Sequence, residues 1–267
     1  EIYHLKQPGK GNCDKLHPAI ARIEAARAAG HRITADMYTY TAGSTGLDAA
    51  MPPWVQAGGV ESWTQRQKDP ATRAKVLAEM RQDKPAFENL YRHAGTEGTL
   101  LVGFKNPALK GLTGKTLAQV AKDRGVSPED AAIDLVIEDG SRVQVVYFLM
   151  SEQNVARQTA LPWMSFGSDA SAQAPEGVFL KSSTHPRTYG NFARLLGKYV
   201  REEKTTSLAD AVRRLSAFPA QNLGLKDRGM LKAGYYADVV VFDPATVGDV
   251  GTYENPKQFA VGVSDVF

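Results

Sequence analysis

A chain of 267 residues, 43% of them hydrophobic, can bury one substantial core, as one large domain or as one domain carrying an insertion. Its formal charge of +3, from 32 basic and 29 acidic residues, is small for this length and argues against a nucleic-acid surface. No apolar run approaches the roughly 18 residues that span a bilayer, so no membrane partner is expected. The single cysteine, Cys13, excludes an internal disulfide framework or a Cys-rich metal site.

The first unit alternates strand and helix. Glu1–Lys6 reads as a strand already in progress, without an initiator Met or a signal peptide. Ile20, Ile23 and Ala26 then recur at helical spacing over 18–29, and Gly30 is placed to stop that helix. Residues 32–40 read as the next strand. Such alternation implies a parallel sheet or barrel, an α/β chain. Residues 46–142 break the rhythm with Pro52-Pro53, Gly58-Gly59, Trp54, Trp63 and a charged helix over 70–81. Near its end, Ser127-Pro128-Glu129-Asp130 is a strong helix start: N-cap, first-turn proline and two acids. A stretch of that length is too long for a loop and is expected to form an inserted subdomain or lid.

The rhythm is expected to resume with a strand over Val143–Met150 and a helix over 152–160. A further strand, 162–166, delivers Gly167-Ser168-Asp169. A helix over 191–203 would bury Phe192, Leu195, Leu196 and Tyr199. The next, from Ser207, would bury Leu208, Val212 and Leu215 and break near Pro219. After Gly229 comes a turn and the apolar run Val239–Phe242, closed by Asp243-Pro244, and Val261–Phe267 is again strand-like. These ends suggest an internal part of a longer chain, with any targeting signal outside it and a cytoplasmic location by default.

His4 leaves the opening strand and Asp169 leaves a later one. In a (β/α)8 barrel, groups at the C-terminal ends of strands converge on one site. An imidazole and a carboxylate placed there can hold a zinc-type ion, and the carboxylate can accept a proton from the attacking water.

His4-x-Lys6, Asp36-x-Tyr38-x-Tyr40-x-x-Gly43-Ser44-Thr45, Gly167-Ser168-Asp169 and His185-Pro186-Arg187 follow in one order, ahead of the closing run at 229–243. Together they resemble the N-acyl-D-amino-acid deacylases (D-aminoacylases) of the amidohydrolase superfamily. The resemblance covers nearly the whole chain, loosely over 45–142. It implies the C-terminal half of a TIM-like metal-dependent hydrolase barrel, with strands about six to eight in 1–45 and 143–222. An inserted subdomain would occupy 46–142, and 223–267 would form part of a small β-sandwich.

The same resemblance makes His4 a zinc ligand on the sixth barrel strand and Asp169, after the eighth, the general acid/base. Lys6 and Arg187 would hold the substrate's free carboxylate with help from Ser44. Tyr38 would donate to the scissile carbonyl oxygen, and Met150 would line the side-chain pocket. Each role has a physical basis: a carboxylate in a partly dry pocket must be paired, and a developing oxyanion needs an aimed donor. The implied reaction is hydrolysis of a linear, non-peptide amide: an N-acyl-D-amino acid gives a carboxylate and a free D-amino acid.

The family's remaining ligands, a His-x-His, a cysteine and a further histidine, would precede residue 1. The missing N-terminal half is thus an expected partner, and residues 1–267 alone are expected to be insoluble or inactive. His17, His31, His93 and Cys13 match none of those ligands by motif. The rival readings are a cyclic-amide or dipeptide hydrolase on the same barrel, or a catalytically silent homologue that serves as a binding partner.

Overall fold

Two strands and one bridging residue run side by side in parallel at the base of this α/β structure, a computed structural model that describes residues 1–267. Strand β1 (Ala35–Met37) lies between Ile2 and a strand near the middle of the chain, Met164–Phe166. The register pairs Ala35 with Met164 and Met37 with Phe166. Ile2 and β1 are joined by the helix Leu16–Ala28, which Gly30 follows at φ 93°, a conformation that costs glycine little. The expected opening strand is reduced to the one bridge at Ile2, because the chain turns at Tyr3-His4. Leu16, Ile20, Met37, Trp163, Met164, Leu195 and Tyr199 form the apolar core of this region.

The second sheet is antiparallel. It takes β2 (Ala42–Gly46), β3 (Thr99–Gly103) and β4 (Gln144–Phe148) in the order β2-β4-β3. Here the expectation for Val143–Met150 is corrected: that run does not rejoin the parallel rhythm but forms the central strand of this sheet. The reason is burial. Val145 and Tyr147 enter a 24-residue core with Trp63, Leu101, Ile133 and Val136, while Val146 packs on the other face with Ala42 and Val102. A strand covered on both faces loses its polar alternation and reads like a parallel one. The helices around it start where their caps predict. Asp69 caps Pro70–Met80, and the Ser127 hydroxyl accepts from the Asp130 N–H to open Pro128–Asp139.

Strand β5 is Met164–Phe166, buried throughout. The helix beyond it starts at Arg187, four residues earlier than expected, and changes to π-helical bonding over Leu195–Glu202. That change widens the turn and rotates the face. Leu195, Leu196 and Tyr199 are buried, but Phe192 is 47% exposed, against expectation. In the helix Leu208–Leu215, Leu208 and Val212 are likewise exposed, and Ala211 and Arg214 face inward. The Arg214 guanidinium is fully buried and donates to the carbonyls of Thr159 and Leu161. An inward arginine reads in sequence as a polar face, which explains the inverted expectation. The chain breaks at Ser216, and Pro219 falls within the next helix, Ala217–Asn222. Strands β6 (Val240–Phe242) and β7 (Val263–Val266) pair antiparallel with Val240, Val241, Val263 and Val266 exposed. No helix is long and apolar enough to cross a membrane.

Candidate active site

The ends of the parallel strands carry two residues in strained backbone. His4 has φ +34° and Asp169 has φ +48°, left-handed values that non-glycine residues seldom adopt. Asp36, on β1, holds the first turn in place: its carboxylate accepts the His4 N–H at 2.8 Å. Asn191, buried, links the other ends. It accepts the Thr39 N–H at 2.7 Å and donates to the Gly167 carbonyl at 2.9 Å.

These turns bring most of the expected residues together. His4, Lys6, Tyr38, Tyr40 and Met150 line one narrow cleft. The Lys6 ammonium lies 2.6 Å from His4 Nδ1 and 5.1 Å from the centre of the Tyr38 ring. The Arg187 guanidinium lies 4.3 Å from the centre of the same ring, and its Nη2 pairs with Asp169 at 2.9 Å. Arg187 is only 4% exposed, yet its Nε and Nη1 have no hydrogen-bond partner. Buried donors without partners are rare and point to a ligand, here an anionic one.

The electrostatics match this arrangement. Burial pulls the Lys6 pKa down to about 8; Asp169 opposes the shift and Arg187 adds to it. Burial also raises the Tyr38 hydroxyl well above its usual range, so it remains a hydrogen-bond donor. The Ser44 hydroxyl donates to the Val145 carbonyl on β4 at 2.9 Å, which leaves its oxygen able to accept.

A second layer supports the first. His185 is 2% exposed and meets the rings of Tyr40, Tyr253 and Tyr38 edge-on. Tyr40 donates to Asp249 at 3.0 Å, and Asp249 pairs with Arg194 at 3.1 Å. Of these supporting residues, Asp36, Tyr40 and His185 belong to motifs visible in the sequence. Asn191, Arg194, Asp249 and Tyr253 carry no local signal.

Desolvation, reinforced by Arg187, depresses the His185 pKa from 6.5 to about 3. The unfolded chain therefore binds a proton that the folded one refuses. Stability from this source is complete above pH 6.5 and is lost as pH falls from 6.5 toward 3. His185→Asn is expected to flatten that part of the slope, measured by urea unfolding at a series of pH values.

The donor set for a metal ion is partial. No three His, Cys, Asp or Glu residues come together in metal-binding geometry. His17 lies against Arg157, His31 is exposed, and His93 and Cys13 are half-buried elsewhere. His4 fits zinc as one of the four ligands a tetrahedral site requires.

The model of an amidohydrolase family matches residues 149–265. D-aminoacylase of Alcaligenes xylosoxydans xylosoxydans is 31% identical over 266 residues, covering 100% of this chain and 43% of that protein. The chain thus matches the amidohydrolase family over 149–265 and is similar to a D-aminoacylase along its whole length. N-acyl-D-aspartate deacylase of the same organism is 35% identical over 155 residues, 58% of this chain and 29% of the relative. The crystal structure of N-acyl-D-glutamate deacylase from Bordetella bronchiseptica holds zinc and a phosphonate mimic of the tetrahedral intermediate. It superposes with a TM-score of 0.73 and 28% identity, over 100% of this chain and 44% of that one. The chain thus spans less than half the length of these relatives.

Proposed function

We propose that residues 1–267 form the substrate-carboxylate and acid/base portion of a zinc-dependent N-acyl-D-amino-acid deacylase. The observation that carries this reading is Arg187, a buried guanidinium with two unpartnered nitrogens beside Asp169, Tyr38 and Lys6. In this reading Ile2, β1 and β5 are barrel strands six to eight, the β2-β4-β3 sheet with its helices is the inserted subdomain, and β6 and β7 belong to a small β-sandwich. The remainder of the barrel is supplied from outside these residues, and the exposed valines of β6 and β7 are surface that it would cover.

The chemistry follows from the side chains. The substrate's α-carboxylate occupies the free donors of Arg187 and faces Lys6. The Tyr38 hydroxyl donates to the scissile carbonyl oxygen and stabilises the negative charge that develops there. Asp169 accepts a proton from the attacking water and returns it to the departing nitrogen, so that amide and water become carboxylate and amine. His4 would be this chain's zinc ligand. When bound, zinc supplies Lewis-acid polarisation of the carbonyl and acidifies water.

The test is a substrate comparison with the full-length protein. N-acetyl-D-amino acids are expected to be hydrolysed with kcat/KM at least roughly tenfold above their carboxamides, which lack the anion. Equal rates on acid and carboxamide, or turnover of cyclic amides alone, would overturn the reading.

A further inference from the structure

Pro186 precedes the helix that begins at Arg187, and no capping side chain stands at its N-cap position. The Arg187 N–H belongs to the first turn, where backbone donors lack intrahelical acceptors, and the residue is buried. Its partner is His185 Nδ1, at 2.9 Å. The opposite ring nitrogen, Nε2, lies 2.9 Å from the carbonyl of Ala42, the first residue of β2. Each backbone group has one role only, so the tautomer is determined: Nδ1 accepts and Nε2–H donates.

The imidazole thus joins two backbone segments. One runs Tyr38–Ala42, from the end of β1 into the antiparallel sheet. The other opens the helix that carries Arg187. Edge-on contacts with Tyr40 at 5.3 Å and Tyr253 at 5.2 Å leave the ring little freedom to turn.

We propose that His185 is a positioning residue: by bridging the Arg187 N–H to the Ala42 carbonyl it sets the guanidinium over Tyr38, at the separation a substrate carboxylate requires. This rests on the reading of Arg187 as the carboxylate-binding group. Burial keeps the ring neutral, with a pKa of about 3, so the bridge persists across the physiological range. A protonated ring would have no acceptor for the Arg187 N–H.

Two conservative variants each cut one side of the bridge. The Asn side-chain oxygen sits where Nδ1 does, so His185→Asn keeps the acceptor for Arg187 and gives up Ala42. The Gln side chain extends to the place of Nε2, so His185→Gln keeps Ala42 and gives up Arg187. In the full-length protein, His185→Gln is expected to raise KM for N-acetyl-D-amino acids by roughly tenfold, with carboxamide kcat/KM changed less than about twofold. His185→Asn, which frees that acceptor from its anchor on Ala42, is also expected to raise KM for the acid, by a smaller factor, with carboxamide kcat/KM again changed less than about twofold. Amide hydrogen exchange at Arg187, which needs no activity, should accelerate by about tenfold or more in His185→Gln and stay protected in His185→Asn. Unchanged exchange in His185→Gln would overturn the bridge, and so would parallel losses on acid and carboxamide in both variants. If exchange responds as expected while the wild-type protein does not distinguish acid from carboxamide, the deacylase reading falls and the backbone bridge stands.

Discussion

Replacing Asp169 with Asn in the full-length protein is expected to lower kcat by about 10² or more while bound zinc stays largely in place. The substitution suits this position because Asn tolerates the left-handed backbone that Asp169 adopts at φ +48°. Its side-chain oxygen can still accept from Arg187 Nη2, now at 2.9 Å from the carboxylate. Shape and the arginine contact therefore survive, and what is removed is the capacity to hold a proton and pass it on. His4→Ala is expected to act differently, removing most of the zinc, because an imidazole ligand is lost. Metal content measured beside kcat separates the two roles. Wild-type activity in Asp169→Asn, or full zinc occupancy in His4→Ala, would sink the corresponding assignment.

The elements best legible in the sequence are those fixed by their own neighbours. Ser127-Pro128 opens a helix because an N-cap hydroxyl and a proline satisfy local backbone needs, and Asp69-Pro70 does the same. Gly30 stops a helix through its own φ. Strand β4 reads as parallel because its partners lie far along the chain, and burial on both faces erases the alternation that marks an antiparallel strand. The helix over 208–215 reads inside out because Arg214 faces inward, its charge paired with Asp210 at 2.8 Å and its remaining donors taken by carbonyls about 50 residues away.

A similar division runs through the site. His4, Lys6, Tyr38, Asp169 and Arg187 carry chemically distinctive side chains next to strand or helix ends, so pattern and resemblance together single them out. Asp36 and His185 act instead on backbone groups, the His4 N–H and the Ala42 carbonyl, at separations of 32 and 143 residues. Both lie within motifs visible in the sequence, but the distant backbone groups that define what they do are not.

Arg187→Lys is expected to lower kcat/KM for N-acyl-D-amino acids by roughly tenfold or more, with a much smaller effect on the matching carboxamides. The charge is conserved, so a purely electrostatic role would leave the substrate preference nearly intact. What changes is shape. The planar guanidinium pairs with Asp169 through Nη2 and lies 4.3 Å from the Tyr38 ring centre, while Nε and Nη1 remain free. A single group can thereby hold Asp169 and receive a second carboxylate together. Lysine offers one compact ammonium, which must either stay with Asp169 or leave it for the substrate. In the first case the substrate's carboxylate loses its fork, and in the second Asp169, whose side chain is 43% exposed, loses the contact that holds it in place. Lysine also forgoes the stacking that the flat guanidinium gains on the Tyr38 ring. Steady-state kinetics on paired acid and carboxamide substrates decide the matter. Equal losses on the two would mean that Arg187 stabilises the site's architecture and does not bind the substrate's anion.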